Sequence, residues 1–245
     1  MTDINIKHSV NNLRKKQPST YDINVGVIVP ADNNSVVEDL QMAFKDKYNF
    51  IVYKMEKTGN TGHPENDFEY NRFINDLNKA GEYFIKNNVK YIVYGRGYGT
   101  YNESGRKNII NILKKYANEV ILPTEEIIKK IDLLGINKIS LILPYTEDRG
   151  VIDVKMFLEK NINIDHVFYL NENDGEKISK ITGNEILNLC RQNLDKLMNS
   201  KITVIQCTAL HTVGIIESLR NYCGREIISS NSVIVDYLKS VLPQL

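Results

Sequence analysis

An internal repeat limits the fold more than any other feature of this chain. VGVIVPADNNSVVEDL, starting at Val25, resembles ISLILPYTEDRGVIDV, starting at Ile139. Each reads as an apolar run, a proline, a polar loop and the start of a helix. YIVYGRG at Tyr91 matches ITVIQCT at Ile202, and EVILPTEEI at Glu119 matches EIISSNSVI at Glu226. The three matches keep their order, and their separations drift slowly through 114, 111 and 107 residues. Such a pattern describes two copies of one supersecondary unit.

The unit is of α/β type. Short, nearly all-apolar runs predict strands at Val25–Val29, Phe50–Tyr53, Tyr91–Tyr94, Glu119–Leu122, Ile139–Leu143, His166–Leu170, Ile202–Gln206 and Glu226–Ser229. A strand reads this way when both of its faces are covered, as in a parallel sheet. Amphipathic stretches between them predict helices over 36–45, 71–87, 104–116, 125–134, 152–160, 183–199, 212–222 and 232–241. Strict alternation of the two argues for mostly parallel sheets. Eight strands can also close a single barrel, but the repeat favours two lobes. The expected organisation is a polar tail over 1–20, a first lobe of 21–122 plus 230–245, and a second lobe of 123–229.

Charge and composition narrow the function. Lys and Arg number 31 against 30 Asp and Glu, so the net charge is +1 in 245 residues. Nucleic acid and anionic membrane surfaces are therefore not expected as main partners. No run of about 20 apolar residues is present to span a bilayer. The first twenty residues lack the apolar stretch of a secretory signal. Three cysteines, Cys190, Cys207 and Cys223, do not form a disulfide scaffold and suit a reducing cytoplasm. No Cys, His, Asp or Glu cluster has zinc-like spacing.

In open α/β sheets ligands bind beyond the carboxyl ends of the strands, which directs attention to the loops there. Cys207 leaves a strand at a Thr-Ala-Leu-His turn. A helix start following it would lower its pKa, and its thiol would serve as proton donor, base or nucleophile; a buried structural cysteine is the plain alternative. Cys190 and Cys223 read as structural. GRGYGT, Gly95–Thr100, departs from the dinucleotide pattern G-x-G-x-x-G, with Thr100 in place of the third glycine. Backbone N–H groups over Gly97, Tyr98, Gly99 and Thr100, with Arg96, offer an anion site, and a tight turn without ligand is the alternative. Tyr145, Thr208, Asn33 and Asn231 offer hydroxyl or amide contacts to a substrate. Asn33 and Asn231 read equally well as helix caps.

GVIVPADNN with Glu38, LPYTE, QCTALHT and ISSNSVIVDYL, spread from Val25 to Leu242, resemble the aspartate/glutamate racemase superfamily, in its branch of maleate cis-trans isomerases and arylmalonate decarboxylases. The resemblance implies two Rossmann-like lobes with parallel sheets, related by a pseudo-twofold axis, with the active site in the cleft between them. It also implies cofactor-free chemistry on a small carboxylate or dicarboxylate, and leaves room for a homodimer or higher homo-oligomer. Racemases and isomerases of the family carry one cysteine per lobe. The second matches Cys207. The first falls at Arg96, or at Gly95 if the register slips by one, and neither is a thiol. Arylmalonate decarboxylases resemble this pattern in keeping only the second cysteine, which protonates an enediolate after carbon dioxide is lost. The resemblance thus makes Cys207 and Tyr145 the expected catalytic pair, with Asn33, Arg96, Gly97, Tyr98, Gly99, Thr100, Thr208 and Asn231 binding substrate. A decarboxylase-type lyase leads; a maleate-type isomerase or an amino-acid racemase using Cys207, and a silent carboxylate-binding protein, are the alternatives.

Overall fold

A computed structural model describes residues 23–45, 47–56 and 66–243; the expected polar tail over 1–20 lies outside them. The described residues form two four-stranded parallel sheets. In the first, β1 (Asn24–Pro30), β2 (Asn49–Met55), β3 (Val89–Tyr94) and β4 (Glu119–Ile121) are ordered β2-β1-β3-β4. In the second, β5 (Lys138–Leu143), β6 (Asn163–Tyr169), β7 (Ile202–Ile205) and β8 (Glu226–Ser229) are ordered β6-β5-β7-β8. All eight expected strands are present. Val25, Val27, Ile28 and Val29 are inaccessible, as are Ile139, Leu141, Ile142 and Leu143. Helices cover both faces of each sheet, which explains why the strands carry no polar alternation.

The two sheets repeat each other residue for residue at their centres. Ile28 pairs with Tyr94 between β1 and β3, and Ile142 pairs with Ile205 between β5 and β7. The next residue closes the same bond in both: Gly95 N donates to Ile28 O at 2.8 Å, and Gln206 N to Ile142 O at 3.0 Å. Two residues beyond the paired strand ends stand Arg96 and Cys207. The register therefore makes Arg96, not Gly95, the counterpart of Cys207.

The helices of the first half are α1 (Ser35–Phe44), α2 (Asp67–Lys86), α3 (Glu103–Leu113) and α4 (Pro123–Leu133). Those of the second are α5 (Glu147–Leu158), α6 (Gly175–Ile178), α7 (Gly183–Gln192), α8 (Leu194–Leu197), α9 (Ile216–Cys223) and α10 (Ser230–Val241). The helix that follows the last strand of each sheet packs on the other sheet. Ile127, Ile128 and Ile131 of α4 join the core of the second sheet. Ile234, Val235 and Leu238 of α10 join that of the first. The two exchanged helices also pack against each other.

Two expected helices differ. The stretch over 183–199 breaks at Asn193, whose side chain donates to Leu189 O at 2.9 Å and competes with the helical ladder. The stretch over 212–222 becomes helical only at Ile216. Before it, the amides of Thr212 and Val213 both donate to the buried Asp39 carboxylate, at 3.0 and 3.2 Å. No described helix is long and apolar enough to cross a membrane.

Candidate active site

The carboxyl ends of the two sheets face a cavity of about 40 Å³. A single water needs roughly 10–15 Å³ on this measure, so the cavity is small and its own side chains nearly fill it. Arg96, Gly97, Thr100 and Tyr101 line it from the first half, and Tyr145, Gln206, Cys207 and Thr208 from the second. The first residues of the exchanged helices complete the wall: Pro123 and Thr124 of α4, and Ser230 of α10. Asp153 reaches it from α5.

Cys207 has φ 95°, apart from the other non-glycine residues with positive φ, which lie between 47° and 59°. A side chain held in so sparsely populated a conformation costs on the order of 1–3 kcal/mol and persists only where neighbours enforce it. Here Cys207 N donates to Ser230 Oγ at 3.1 Å, and Leu210 N donates to Cys207 O at 3.3 Å. The thiol pKa is pushed up by burial, against hydrogen bonds from the Tyr145 hydroxyl and the Ala209 amide. The expectation of a thiol activated by a helix start is corrected: α9 begins only at Ile216, nine residues on. Cys207 rests as a neutral thiol. Tyr145 is held well above an ordinary phenol, first by burial and then by the neighbouring Cys207.

Arg96 is 6% exposed. Its guanidinium lies 5.7 Å from the ring centres of both Phe73 and Tyr98, and Nη1 is 3.9 Å from Met55 Sδ. Stacking on these rings fixes the orientation of a permanent charge. The loop carrying it is pinned from below. Tyr94 Oη donates to Tyr98 O at 2.7 Å, and buried Arg106 donates to Thr100 O at 2.8 Å while its Nε pairs with Glu125. Gly99 has φ 79°, a turn that requires glycine. Thr124 Oγ1 donates to Thr100 Oγ1 at 3.2 Å, tying the loop to α4.

Six residues singled out in the sequence meet at the cavity: Arg96, Gly97, Thr100, Tyr145, Cys207 and Thr208. Four others are outside its wall. Tyr98 packs edge-on against Phe73, with ring centres 4.8 Å apart, and Gly99 shapes the turn beside it. Asn33 accepts from Ser35 N at 3.0 Å and donates to Thr208 Oγ1 at 3.1 Å. Thr208 Oγ1 in turn donates to Gly95 O at 3.0 Å, so the pair fastens one half to the other. Asn231 is fully buried, and its amide donates to Asp39 Oδ2 at 2.8 Å, Leu210 O at 3.0 Å and Thr208 O at 3.3 Å. Its amide hydrogens are committed to the scaffold rather than to a substrate.

Sequence reasoning missed Tyr101, Gln206 and Asp153. Asp153 had a legible signal. It shares the buried face of α5 with Gly150, Met156 and Phe157, an acid inside an apolar stripe. Burial pushes its carboxyl up to about 7, against the Gln206 amide and the Arg149 charge, both of which favour the ionised form. A larger groove of about 370 Å³ borders α2, lined by Glu56, Arg72, Asp76 and Lys79 among others. It shares no residue with the cavity and its Arg72–Glu56 pair is exposed. Among the described residues no group of His, Cys, Asp and Glu is arranged to hold a metal ion.

No protein-family model matches the chain, and no curated protein matches its sequence. Solved structures match its fold. The maleate cis-trans isomerase of Nocardia farcinica superposes with a TM-score of 0.75 at 13% identity, over 89% of this chain and 92% of that one. The maleate isomerase Iso of Pseudomonas putida S16 gives 0.70 at 16% identity, over 90% and 93%. Unliganded arylmalonate decarboxylase gives 0.72 at 13% identity, over 89% and 92%. With these isomerases and decarboxylases the chain shares its fold of two parallel-sheet lobes.

Proposed function

We propose that this chain is a cofactor-independent enzyme that forms an enediolate at the α-carbon of a small carboxylate or dicarboxylate and protonates it from Cys207, as a lyase of the decarboxylase type. One observation carries the reading: a half-buried neutral thiol and a fixed guanidinium occupy equivalent strand ends in the two halves and line one cavity. Arg96 is suited to hold the carboxylate that the substrate keeps, through charge-assisted hydrogen bonds. The Tyr145 hydroxyl, beside Cys207, lies where it can receive the developing oxygen charge, while Thr100 and Thr208 shape the wall, their hydroxyl hydrogens given to Gly97 O and Gly95 O. The bond from the α-carbon to the departing carboxylate breaks and its electron pair moves into the retained carboxylate, giving the enediolate and carbon dioxide. The Sγ proton then passes to the α-carbon, and a thiolate is left. A thiol kept neutral by its surroundings suits that donor role.

A maleate-type cis-trans isomerase is the second reading, favoured by the names of the fold's isomerase neighbours. It requires Cys207 as a thiolate adding to the double bond, against the direction in which burial pushes the thiol. Racemisation needs a second proton-exchanging group on the opposite face, and an arginine, which keeps its proton, does not supply one. Three free cysteines fit a reducing cytoplasm.

Incubation with methylmalonate, phenylmalonate and maleate in deuterated water, followed by NMR, tests the reading. Deuterium at the α-carbon together with carbon dioxide release is expected from a malonate. Conversion of maleate to fumarate without carbon loss would replace the lyase with the isomerase. No turnover of any of the three, with protection of Cys207 from alkylation by a dicarboxylate, would leave a binding protein.

A further inference from the structure

The proposed reaction leaves a thiolate on Cys207 in a small, nearly filled cavity, and Asp153 has no part in the steps described so far. We propose that Asp153 is the proton reserve of Cys207: the two acids hold a single negative charge between them, and Asp153 returns a proton to the thiolate after each transfer. Asp153 acts through Cys207 and not on the substrate.

Asp153 is 3% exposed and lines the same cavity as Cys207. Its Oδ2 has no hydrogen-bond partner among the described residues, and neither does Oε1 of Gln206, the residue preceding Cys207. An ionised carboxylate left with an unpartnered buried oxygen is costly, whereas a carboxylic acid needs fewer partners. That cost, and its partial relief by the Gln206 amide, place the carboxyl near 7. It can therefore both hold and release a proton near neutral pH. The surrounding groups do not compete for this role. Tyr101, before α3, Tyr145, after β5, and Tyr169, at the end of β6, are all raised by burial and stay neutral. Arg149, one turn earlier on α5, stacks over the Tyr145 ring at 4.3 Å and donates to Asn173 O. It contributes a steady positive field to both acids. The Asp153 charge disfavours a Cys207 thiolate, and two such acids in one low-dielectric site ionise one after the other. In the return step the Asp153 O–H bond breaks, an S–H bond forms on Cys207, and the carboxylate that results takes a proton from solvent when product leaves.

This inference rests on the reading of Cys207 as the acid of the site, but its test needs no substrate. The pH dependence of iodoacetamide alkylation at Cys207 is measured for the wild type and Asp153→Asn, with peptide mapping to exclude Cys190 and Cys223. Removing the carboxylate favours the thiolate, so near pH 8 the variant should react about tenfold faster, the equivalent of one pKa unit. Below about pH 6, where Asp153 of the wild type is protonated, the two rates should converge. A uniform acceleration at every pH would mean a loosened structure, and superimposed profiles would mean uncoupled acids; either result overturns the proposal. If Asp153→Asn does not fold, carbon-13 NMR of carboxyl-labelled wild type decides. One aspartate titrating near neutral pH is expected, and titration of every aspartate below about pH 5 overturns it. Failure of the deuterium experiment with a coupled alkylation profile would remove the reaction and leave the proton pair.

Discussion

The loops after β3 and β7 hold equivalent places in the two halves and have diverged in kind. The first is rigid and permanently charged. Tyr94, Arg106 and Gly99 hold it, and Arg96 is clamped between aromatic rings. The second is strained and carries a thiol: Cys207 at φ 95°, its amide bonded to Ser230, with the Asp153 carboxyl and the Gln206 amide on the same cavity. A duplicated unit offers two symmetric positions facing one ligand. Under the proposed function one serves as an anchor and the other as an acid, which gives the site a direction that a symmetric pair of thiols lacks. An anchor contributes equally to ground and transition states, whereas a proton donor contributes only as the reaction proceeds.

That contrast can be broken from either side. The largest effect is expected for Cys207→Ala, with kcat for malonate decarboxylation falling about 1000-fold, in the range of a lost general acid. Steady-state kinetics retaining more than a tenth of the rate would assign the proton to another group. Arg96→Met should act mainly on binding, raising KM about 10- to 100-fold, the scale of a charge-assisted hydrogen bond, with a smaller change in kcat. An equal fall in kcat and kcat/KM would show that Arg96 acts only in the transition state, and the distinction between the two loops would disappear. Thr208→Val should have the smallest effect. It removes the bond to Gly95 O and leaves the Asn33 amide unpartnered, for about 1–2 kcal/mol, or a few degrees in Tm. An unchanged melting curve would mean that these bonds do not hold the halves together.

Much of this arrangement was legible in the residues. Apolar runs such as VGVIV and ISLIL exposed the parallel strands because covered faces leave no polar alternation. The repeat aligned Arg96 with Cys207, and strand register does the same. What was not legible depends on contacts distant in sequence. The amides of Thr212 and Val213 are drawn out of a helix by Asp39, about 170 residues away, and with the helix start goes the expected activation of Cys207. Asn33 and Asn231 carry suitable donors, but long-range partners take them up. Asp153 left a mark as an acid inside an apolar stripe, but the residues alone do not say that this stripe borders the cavity.

The exchange of α4 and α10 has a mechanical consequence. Each helix starts at the cavity wall, with Thr124 or Ser230, and ends in the core of the opposite sheet. The halves are laced together in two places rather than strung on a single tether. Cutting the backbone between them would not yield two independent modules, because each would lose a wall that the other supplies.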